Sequence, residues 1–395
     1  MTNDSLVQSL HSHLTWWGLK RFTTDADYFA WQQTLFSPAD LAELNALIER
    51  KRGGECGDEI AFYDQTARSQ ILPVLYSQRY EYYCQIGSHV AARIGDAGRI
   101  LDFGCGIGAL TTFYAAQYSG KQFVGIDRSP VSIARAREKA QELGLSNLRF
   151  ECVDIESGNF NGSYDLVVAT HALLQAEQDP GIPSHNWQTF ERACDVKQQA
   201  AFEQRTGIGV RLDRLGALLV KSGRMIVFEK TRQLARRVPF QRALATRGLQ
   251  LAEAPELIRY QLVEEVADDG PFYVVEKTGS VLLDWDESPE PDEGRPFDRA
   301  DLKAGSTDRD APLYENHWPS AQSVWEQLRD KHLLNEATYQ EPDGRQLHVE
   351  LGQAEEGVYL YCANTFDQRQ VVIVEPARAD MLESYYREIA CNISG

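Results

Sequence analysis

The spacing of apolar residues divides the chain near residue 98. Before that point, apolar positions recur at the spacing of a helix. Residues 37–40, Ser-Pro-Ala-Asp, predict a helix start, with a serine cap, proline at the first helical position and an acid in the first turn. Gly53-Gly54 would end that helix. A second helix is predicted over 76–93, so residues 1–94 are interpreted as a helical, aromatic-rich cap.

After residue 98, short apolar runs alternate with helical stretches. This alternation predicts a parallel sheet with right-handed crossovers, buried on both faces. The predicted strands are 99–103, 122–126, 148–153, 164–169 and 224–229, and the predicted helices are 109–118, 132–143, 210–221 and 232–247. Two further strands, 258–265 and 272–277, would be joined by a tight turn at 268–271.

The last part of the chain has a different pattern. Residues 281–312 are rich in acid, proline and glycine, which is typical of a linker. A helix over 320–334, a last helix from about 376 to 389, and four strands between them predict a small α+β domain at 313–395; the strands are 336–340, 345–351, 357–363 and 369–375. Asp343-Gly344 is a hairpin signal. Open edges of that sheet would allow a homodimer.

Composition narrows the class of protein. The formal net charge is −18 over 395 residues, and the acidity is concentrated in residues 251–395, with 31 acidic and 12 basic side chains. No basic footprint for phosphates stands out, which argues against a nucleic-acid substrate. No apolar run is long enough for a membrane span, and the start of the chain lacks a secretory signal. Seven cysteines without a C-x-x-C pair favour a reduced, cytoplasmic protein without a metal site.

A glycine-rich loop is the main candidate for chemistry. Gly104, Gly106 and Gly108 directly follow a predicted strand and open a helix. Glycines there let the backbone turn sharply and approach a ligand, and the helix start favours an anionic group. The loop also fits a dinucleotide pattern, with Ala109 in the last place.

Three acidic residues make the prediction of the ligand of this loop more specific. Asp127 ends the second strand, where a carboxylate can accept both ribose hydroxyls, and Asp154 follows the third, where it could meet an adenine amine. Asp102 lies two residues before Gly104. It would repel a pyrophosphate but attract an ammonium or sulfonium group. This set favours S-adenosylmethionine over a nicotinamide dinucleotide.

At this point the chain resembles the class I S-adenosylmethionine-dependent methyltransferases. The resemblance covers roughly residues 95–280 and rests on ordered motifs, at 100–108 (ILDFGCGIG), 124–127 (VGID), 153–155 (VDI), 164–170 (YDLVVAT) and 219–227 (LVKSGRMIV). It implies an α/β fold, with a Rossmann-like, mostly parallel seven-stranded sheet between the N-terminal helical cap and the C-terminal α+β appendix.

The resemblance also implies residue roles. The three glycines would wrap the methionine portion of the cofactor, with Asp102 at its amino end, Asp127 at the ribose, and Asp154 with Ile155 at the adenine. Thr170 and His171 come just after the fourth strand, at the edge where ligands bind in open α/β sheets. We expect His171 nearest the transferred methyl, either as a general base or as a strand cap.

The acceptor is expected to be a small molecule, methylated on nitrogen or oxygen. Strand four ends in Ala-Thr-His-Ala at 169–172, not in the Asn/Asp-Pro-Pro-aromatic motif of many enzymes that methylate DNA bases or protein glutamine. Other hypotheses are a protein or peptide methyltransferase docking through the acidic C-terminal part, a non-catalytic cofactor-binding scaffold, and an NAD-dependent oxidoreductase. Candidate acceptor contacts lie on the cap and on the long connection between 175 and 207; they are Tyr63, Tyr76, Arg79, Tyr83, His185 and Trp187.

Overall fold

The computed structural model describes residues 3–52, 56–175, 179–279, 285–302, 313–341 and 344–394. The chain divides into two compact units. The first comprises Met1–Asp179, Ala200–Arg232 and Phe240–Trp285, and the second comprises Pro180–Gln199, Gln233–Pro239 and Asp286–Gly395. The predicted cap therefore belongs to the same unit as the central sheet. None of the described helices is long and apolar enough to cross a membrane.

Six helices form the N-terminal region, with these bounds: α1 Asn3–Trp16, α2 Asp25–Leu35, α3 Pro38–Arg52, α4 Cys56–Thr66, α5 Leu72–Gln78 and α6 Tyr80–Arg93. The helix start at 37–40 is confirmed. Ser37 and Asp40 cap α3 reciprocally, because the Ser37 amide donates to Asp40 and the Asp40 amide donates to Ser37 Oγ. Gly53-Gly54 lie outside the described residues.

The single helix expected over 76–93 is wrong. The structure has two helices, α5 and α6, separated by Arg79, whose φ of −101° and ψ of 23° depart from helical values. Arg79 therefore sits at a corner of the backbone. Sequence periodicity missed this break because no glycine or proline marks it.

The elements of the central sheet follow the predicted order, except that the helix at 196–206 was not predicted and residues 219–221, expected as helix, begin the fifth strand. Along the chain they are β1 Arg99–Phe103, α7 Ala109–Gln117, β2 Gln122–Asp127, α8 Pro130–Glu142, β3 Leu148–Cys152, β4 Tyr164–Thr170, α9 Val196–Thr206, α10 Ile208–Leu218, β5 Leu219–Phe228, α11 Leu234–Ala245, β6 Leu249–Leu251, β7 Glu256–Leu262 and β8 Glu265–Lys277. The order is β3-β2-β1-β4-β5-β8-β6, with β1 to β5 parallel and β8 antiparallel. This is a mostly parallel, Rossmann-like sheet.

An additional strand and a misplaced turn separate this sheet from the expectation. Strand β6 was not predicted and makes an eighth strand among the described residues, whereas β7 corresponds to the strand expected over 258–265 and pairs with β8. The turn expected at 268–271 is wrong, since the chain reverses at Val263 and Glu264 and residues 268–271 lie within β8. Gly270 has a φ of +127°, and the register shifts beside it, which is typical of a bulge.

The second unit contains a five-stranded sheet of order β10-β11-β12-β13-β9. Its elements are β9 Tyr314–His317, α12 Trp318–Gln327, β10 His332–Gln340, β11 Gln346–Gln353, β12 Val358–Asn364, β13 Arg369–Val374 and α13 Ala379–Ser394. Residues 332–334, expected as helix, begin β10 instead, and β9 was not predicted. Of the expected linker, residues 286–302 belong to this unit, where Leu302 is buried in its core. Asp343 lies outside the described residues.

Candidate active site

A cavity of about 480 Å³ lies within the first unit, at the carboxyl ends of β1, β2 and β4. Its volume falls within the range of roughly 300–1,000 Å³ that is usual for small-molecule sites. Helices of the N-terminal cap contribute to it alongside the sheet. The residues predicted from the sequence that line it are Tyr63, Tyr76, Arg79, Tyr83, Asp102, Gly104, Gly106, Asp127, Asp154, Ile155, Thr170 and His171.

The glycine loop adopts the backbone that its sequence demands. Gly104, Gly106 and Gly108 all have positive φ, at +72°, +54° and +77°. A Cβ on Gly108 would lie 2.6 Å from the ring of Phe150, so this glycine allows helix α7 to pack closely. Gly108 does not line the cavity. A Cβ on Gly106 would meet nothing nearer than the Tyr76 hydroxyl at 4.0 Å, so this position leaves a cradle open to a ligand.

Two carboxylates at strand ends are oriented by hydrogen bonds. Asp127 accepts hydrogen bonds from the Gly106 amide at 2.9 Å and the Ser129 amide at 2.8 Å. Burial raises the pKa of Asp127. Asp154 accepts from the Glu156 amide at 3.0 Å and from Ser157 Oγ at 2.9 Å. Each carboxylate oxygen has a second lone pair, so both side chains can still accept from a ribose or an adenine.

Asp102 is buried in β1 and accepts a hydrogen bond of 2.5 Å from Thr111. Burial raises the pKa of Asp102 to about 7. Tyr114, one turn of α7 further on, also lines the cavity and is 1% exposed. Within the described part of the chain its hydroxyl has no hydrogen-bond partner. A buried hydroxyl without a partner is costly unless a ligand satisfies it, so Tyr114 is a candidate ligand contact that sequence reasoning missed.

His171 is held on both sides of its ring. Its Nδ1 lies 2.6 Å from Arg79 Nη2, and its Nε2 lies 3.1 Å from Asp269 Oδ2. Burial lowers the pKa of His171 to about 4, which the Asp269 carboxylate only partly opposes. A neutral imidazole has one lone pair, and here Nδ1 uses it to accept from Arg79. This geometry therefore leaves His171 no lone pair for a substrate proton.

Residues from three separate elements complete this cluster. Tyr260 on β7 donates to Asp269 Oδ2, and contacts with His171 and Tyr260 keep the pKa of Asp269 below its usual range although burial opposes this. Tyr82 stacks on His171 with ring centroids 4.9 Å apart. Sequence reasoning missed Tyr82, Tyr260 and Asp269. Asp269 was assigned to a turn, and no local motif marked it as a partner of His171.

Glu229 at the end of β5 fixes the segment that follows β4. It is 2% exposed and accepts hydrogen bonds from the amides of Ala172 and Leu173, both at 2.7 Å. Burial raises the pKa of Glu229 to about 7. Arg211 donates to the Leu173 carbonyl at 2.8 Å. His171, whose φ is +52°, is thus held at the start of a clamped turn.

The two candidates on the long connection, His185 and Trp187, do not line this cavity. Both belong to the second unit. Trp187 stacks on His348 at 3.6 Å between ring centroids and packs against the core of that unit. Its aromatic ring is therefore explained by packing, which argues against the predicted substrate contact.

Comparisons with known proteins agree on the class of this domain. Residues 94–226 match the family described as a methyltransferase domain. Malonyl-(acyl-carrier protein) O-methyltransferase of Acetivibrio thermocellus is 40% identical over 82 residues, 21% of this chain and 28% of that protein. Release factor glutamine methyltransferase of Escherichia coli (strain K12) is 26% identical over 158 residues, 39% of this chain and 56% of that protein. The chain thus spans about a quarter to just over half of these relatives.

Among solved structures, magnesium protoporphyrin IX methyltransferase from Synechocystis PCC 6803 with bound SAM overlaps 49% of this chain and 77% of its own, at 19% identity and a TM-score of 0.34. The family match and the sheet order together identify the class. The central part of the chain is a class I S-adenosylmethionine-dependent methyltransferase domain, and the cofactor of that family is S-adenosylmethionine.

Proposed function

We propose that this chain transfers a methyl group from S-adenosylmethionine to a nitrogen or oxygen of a small-molecule acceptor, as a cytoplasmic enzyme. One observation carries the proposal. Aromatic side chains of the cap, including Tyr63, Tyr76 and Tyr83, line the same cavity as the glycine loop. An acceptor bound beside the loop would therefore contact aromatic rings, and this combination of rings with a few polar groups suits a small molecule.

The residues present fit this cofactor. Gly106 leaves a cradle, Asp127 stands at a strand end with free lone pairs, and Tyr114 offers an unsatisfied hydroxyl next to buried Asp102. When bound, S-adenosylmethionine supplies a methyl group already activated on a sulfonium. What remains for this chain is to position the acceptor atom and to exclude water, which can account for much of the rate.

For His171 we propose a positioning role. Its lone pair faces the Arg79 guanidinium at 2.6 Å, so the side chain orients Arg79 within the cavity. The expected general-base role has little geometric support, because a base needs a lone pair directed at the substrate.

The test uses the full chain and methyl-labelled S-adenosylmethionine with a panel of amines, phenols and carboxylic acids. Label transferred to at least one class of small molecule is the expected result. Calorimetry with S-adenosylhomocysteine runs in parallel. Cofactor binding without transfer to any small molecule would instead favour the scaffold or the protein-substrate hypothesis.

A protein acceptor is the second candidate. It is favoured by the similarity to a release factor glutamine methyltransferase and by the acidity of residues 251–395. Docking of a basic partner on an acidic surface would weaken with salt, because exposed charges are screened. Transfer of label to basic peptides, strong at low salt and lost at high salt, would support this candidate over the first.

A further inference from the structure

The Arg79 guanidinium stands in the cavity with few partners. Arg79 lines the cavity and is partly buried. Among the residues that the structure describes, one hydrogen-bond acceptor reaches its guanidinium, Nδ1 of His171 at 2.6 Å. The guanidinium also lies over the ring of Tyr82, with its carbon 4.2 Å from the centroid. A guanidinium carries five N–H donors and stays charged. Most of the donors of Arg79 therefore have no hydrogen-bond acceptor among the described residues.

The carboxylates lining the cavity are engaged elsewhere. Their partners come from other parts of the site: Glu59 pairs with Arg128, Asp102 with Thr111, Asp127 with two amides, Asp154 with Ser157, Glu156 with Arg211, and Asp269 with His171 and Tyr260. No ion pair of Arg79 with any of them is found in the described part of the chain. Burying a charged side chain without a counter-ion costs free energy, and the cation–π contact with a tyrosine ring compensates for this cost only in part.

The side chains that support Arg79 are closely packed. His171 is stacked between Tyr82 and Phe228, with ring centroids 4.9 Å and 5.3 Å away. Asp269 contacts the far side of its imidazole at 3.1 Å. Binding of an anion to Arg79 would therefore cost little side-chain entropy, because the side chain is already ordered. Such preorganisation is typical of a binding group.

Resting on the proposed function, we infer that Arg79 binds a carboxylate of the methyl acceptor, so that the substrate is a small organic acid with an aromatic or apolar body. The planar fork of a guanidinium matches a carboxylate with two parallel hydrogen bonds. Tyr63, Tyr76, Tyr83 and Leu262 line the same cavity and provide the surface for the body of the molecule. The many carboxylates of the cavity favour a singly charged anion over a phosphate, whose two charges they would repel.

The test compares acids with their uncharged isosteres on the full chain saturated with S-adenosylhomocysteine. Benzoate and 2-naphthoate are titrated calorimetrically beside benzamide and 2-naphthamide. Hydrogen bonds to a charged group correspond to about a 10- to 100-fold preference for the acid. Equal affinity for acid and amide, or no binding of either acid, would overturn the inference.

Two variants and a matched control complete the design. Arg79→Gln should abolish the preference for the acid while the affinity for S-adenosylhomocysteine stays within about twofold. Arg79→Lys should recover part of it, because it keeps the charge without the fork. Arg99→Gln is the control, since Arg99 also stacks on a tyrosine, Tyr164, but outside the cavity. It should leave every affinity unchanged.

A preference for the acid that survives in Arg79→Gln would also contradict the inference, and binding then needs another cation. Failure of the proposed function gives a different result. In that case S-adenosylhomocysteine does not bind, or label is transferred to no small molecule, whereas failure of the inference alone leaves cofactor binding and transfer to uncharged small molecules intact.

Discussion

The two halves of the cavity are built in different ways. The half that we propose for the cofactor, the cofactor half, consists of Asp102, residues 104–107, Asp127 and Asp154, each at or just after the carboxyl end of a strand or at a helix start. The half that we propose for the acceptor, the acceptor half, consists of cap residues, with His171, Tyr260 and Asp269. In the cofactor half, backbone amides hold the carboxylates of Asp127 and Asp154. In the acceptor half, side chains are positioned by contacts with other side chains. The hydrogen-bonded pair Arg79 and His171, for example, is separated by 92 positions in the sequence.

This difference explains what sequence reasoning could reach. A carboxylate at a strand end next to a glycine turn is fixed by local chain geometry, so its residues follow a readable spacing. A cluster made from a helix corner, a strand end and a bulge depends on the tertiary packing of three elements. The cofactor half therefore identifies the methyl donor, whereas the acceptor half carries the information on substrate class.

The largest effect is expected from closing the cradle in the cofactor half. Gly106→Val should weaken binding of S-adenosylhomocysteine about 100-fold or more, because the side chain would fill the space that the ligand needs. The backbone cost of a side chain at positive φ is about 1–3 kcal/mol. Calorimetry measures the binding and thermal unfolding measures the cost.

Gly144→Val is the matched control. Gly144 has a φ of +66° and open space around its Cβ position, so the variant carries a similar backbone cost outside the cavity. It should bind S-adenosylhomocysteine as the wild type does. An equal loss of binding in both variants would show that strain, not the cradle, is responsible.

A second prediction separates positioning from proton transfer in the acceptor half. His171→Ala should raise KM for the acceptor about tenfold with a smaller change in kcat, because Arg79 loses its supporting acceptor. His171→Asn should recover much of this loss. Asparagine tolerates positive φ and its amide oxygen can accept from Arg79, but it cannot serve as a base. Steady-state kinetics of the wild type and the two variants distinguish the two roles. A large loss of kcat in both variants would contradict the positioning role.

Tyr114→Phe should have a smaller effect, with opposite signs for binding and stability. Removing a buried hydroxyl that lacks a partner should leave the free protein as stable or up to about 1 kcal/mol more stable. Binding of S-adenosylhomocysteine should weaken about 3- to 10-fold, because the hydrogen bond to the ligand is lost. Thermal unfolding with and without ligand measures both, and a loss of stability in the free protein would count against the orphaned hydroxyl.

The smallest predicted effect concerns the pH profile of kcat, to which His171 should contribute no inflection near neutral pH. Burial lowers the pKa of His171 to about 4, so the imidazole stays neutral from pH 8 down to about pH 5, and protonation begins only below that. An acidic acceptor is already ionised in this range and needs no base. At saturating S-adenosylmethionine, His171 should therefore contribute no inflection of kcat near 6.5, the ordinary pKa of histidine. Burial raises the pKa of Asp102 and of Glu229 to about 7, so an inflection from either group should be the same in the wild type and in His171→Asn. An inflection there that disappears in His171→Asn would restore the general-base hypothesis.

The sequence predicted most of the fold, for reasons visible in particular residues. Strands β1 to β4 are short and rich in apolar residues, and they appear within one residue of their predicted bounds. The break at Arg79 and the reversal at Val263 were missed because neither carries the usual glycine or proline signal. Val263 turns at a φ of +61°, which a valine adopts only under tertiary constraint.

The candidate site shows the same division. The predicted cofactor residues other than Gly108 line one cavity, as do the four cap residues predicted as acceptor contacts. His185 and Trp187 do not, because residues 180–199 belong to the second unit. A long connection in the sequence was interpreted as a binding loop, and nothing in its residues indicated which sheet it would join.

We propose that the loop 104–108 and its carboxylates bind a methyl donor. Calorimetric titration of the full chain with S-adenosylhomocysteine and, separately, with NAD tests it most directly. We predict binding of one S-adenosylhomocysteine per chain, lost in Gly106→Val and kept in Gly144→Val, with no comparable binding of NAD. Tighter binding of NAD than of S-adenosylhomocysteine would contradict the account and favour an oxidoreductase.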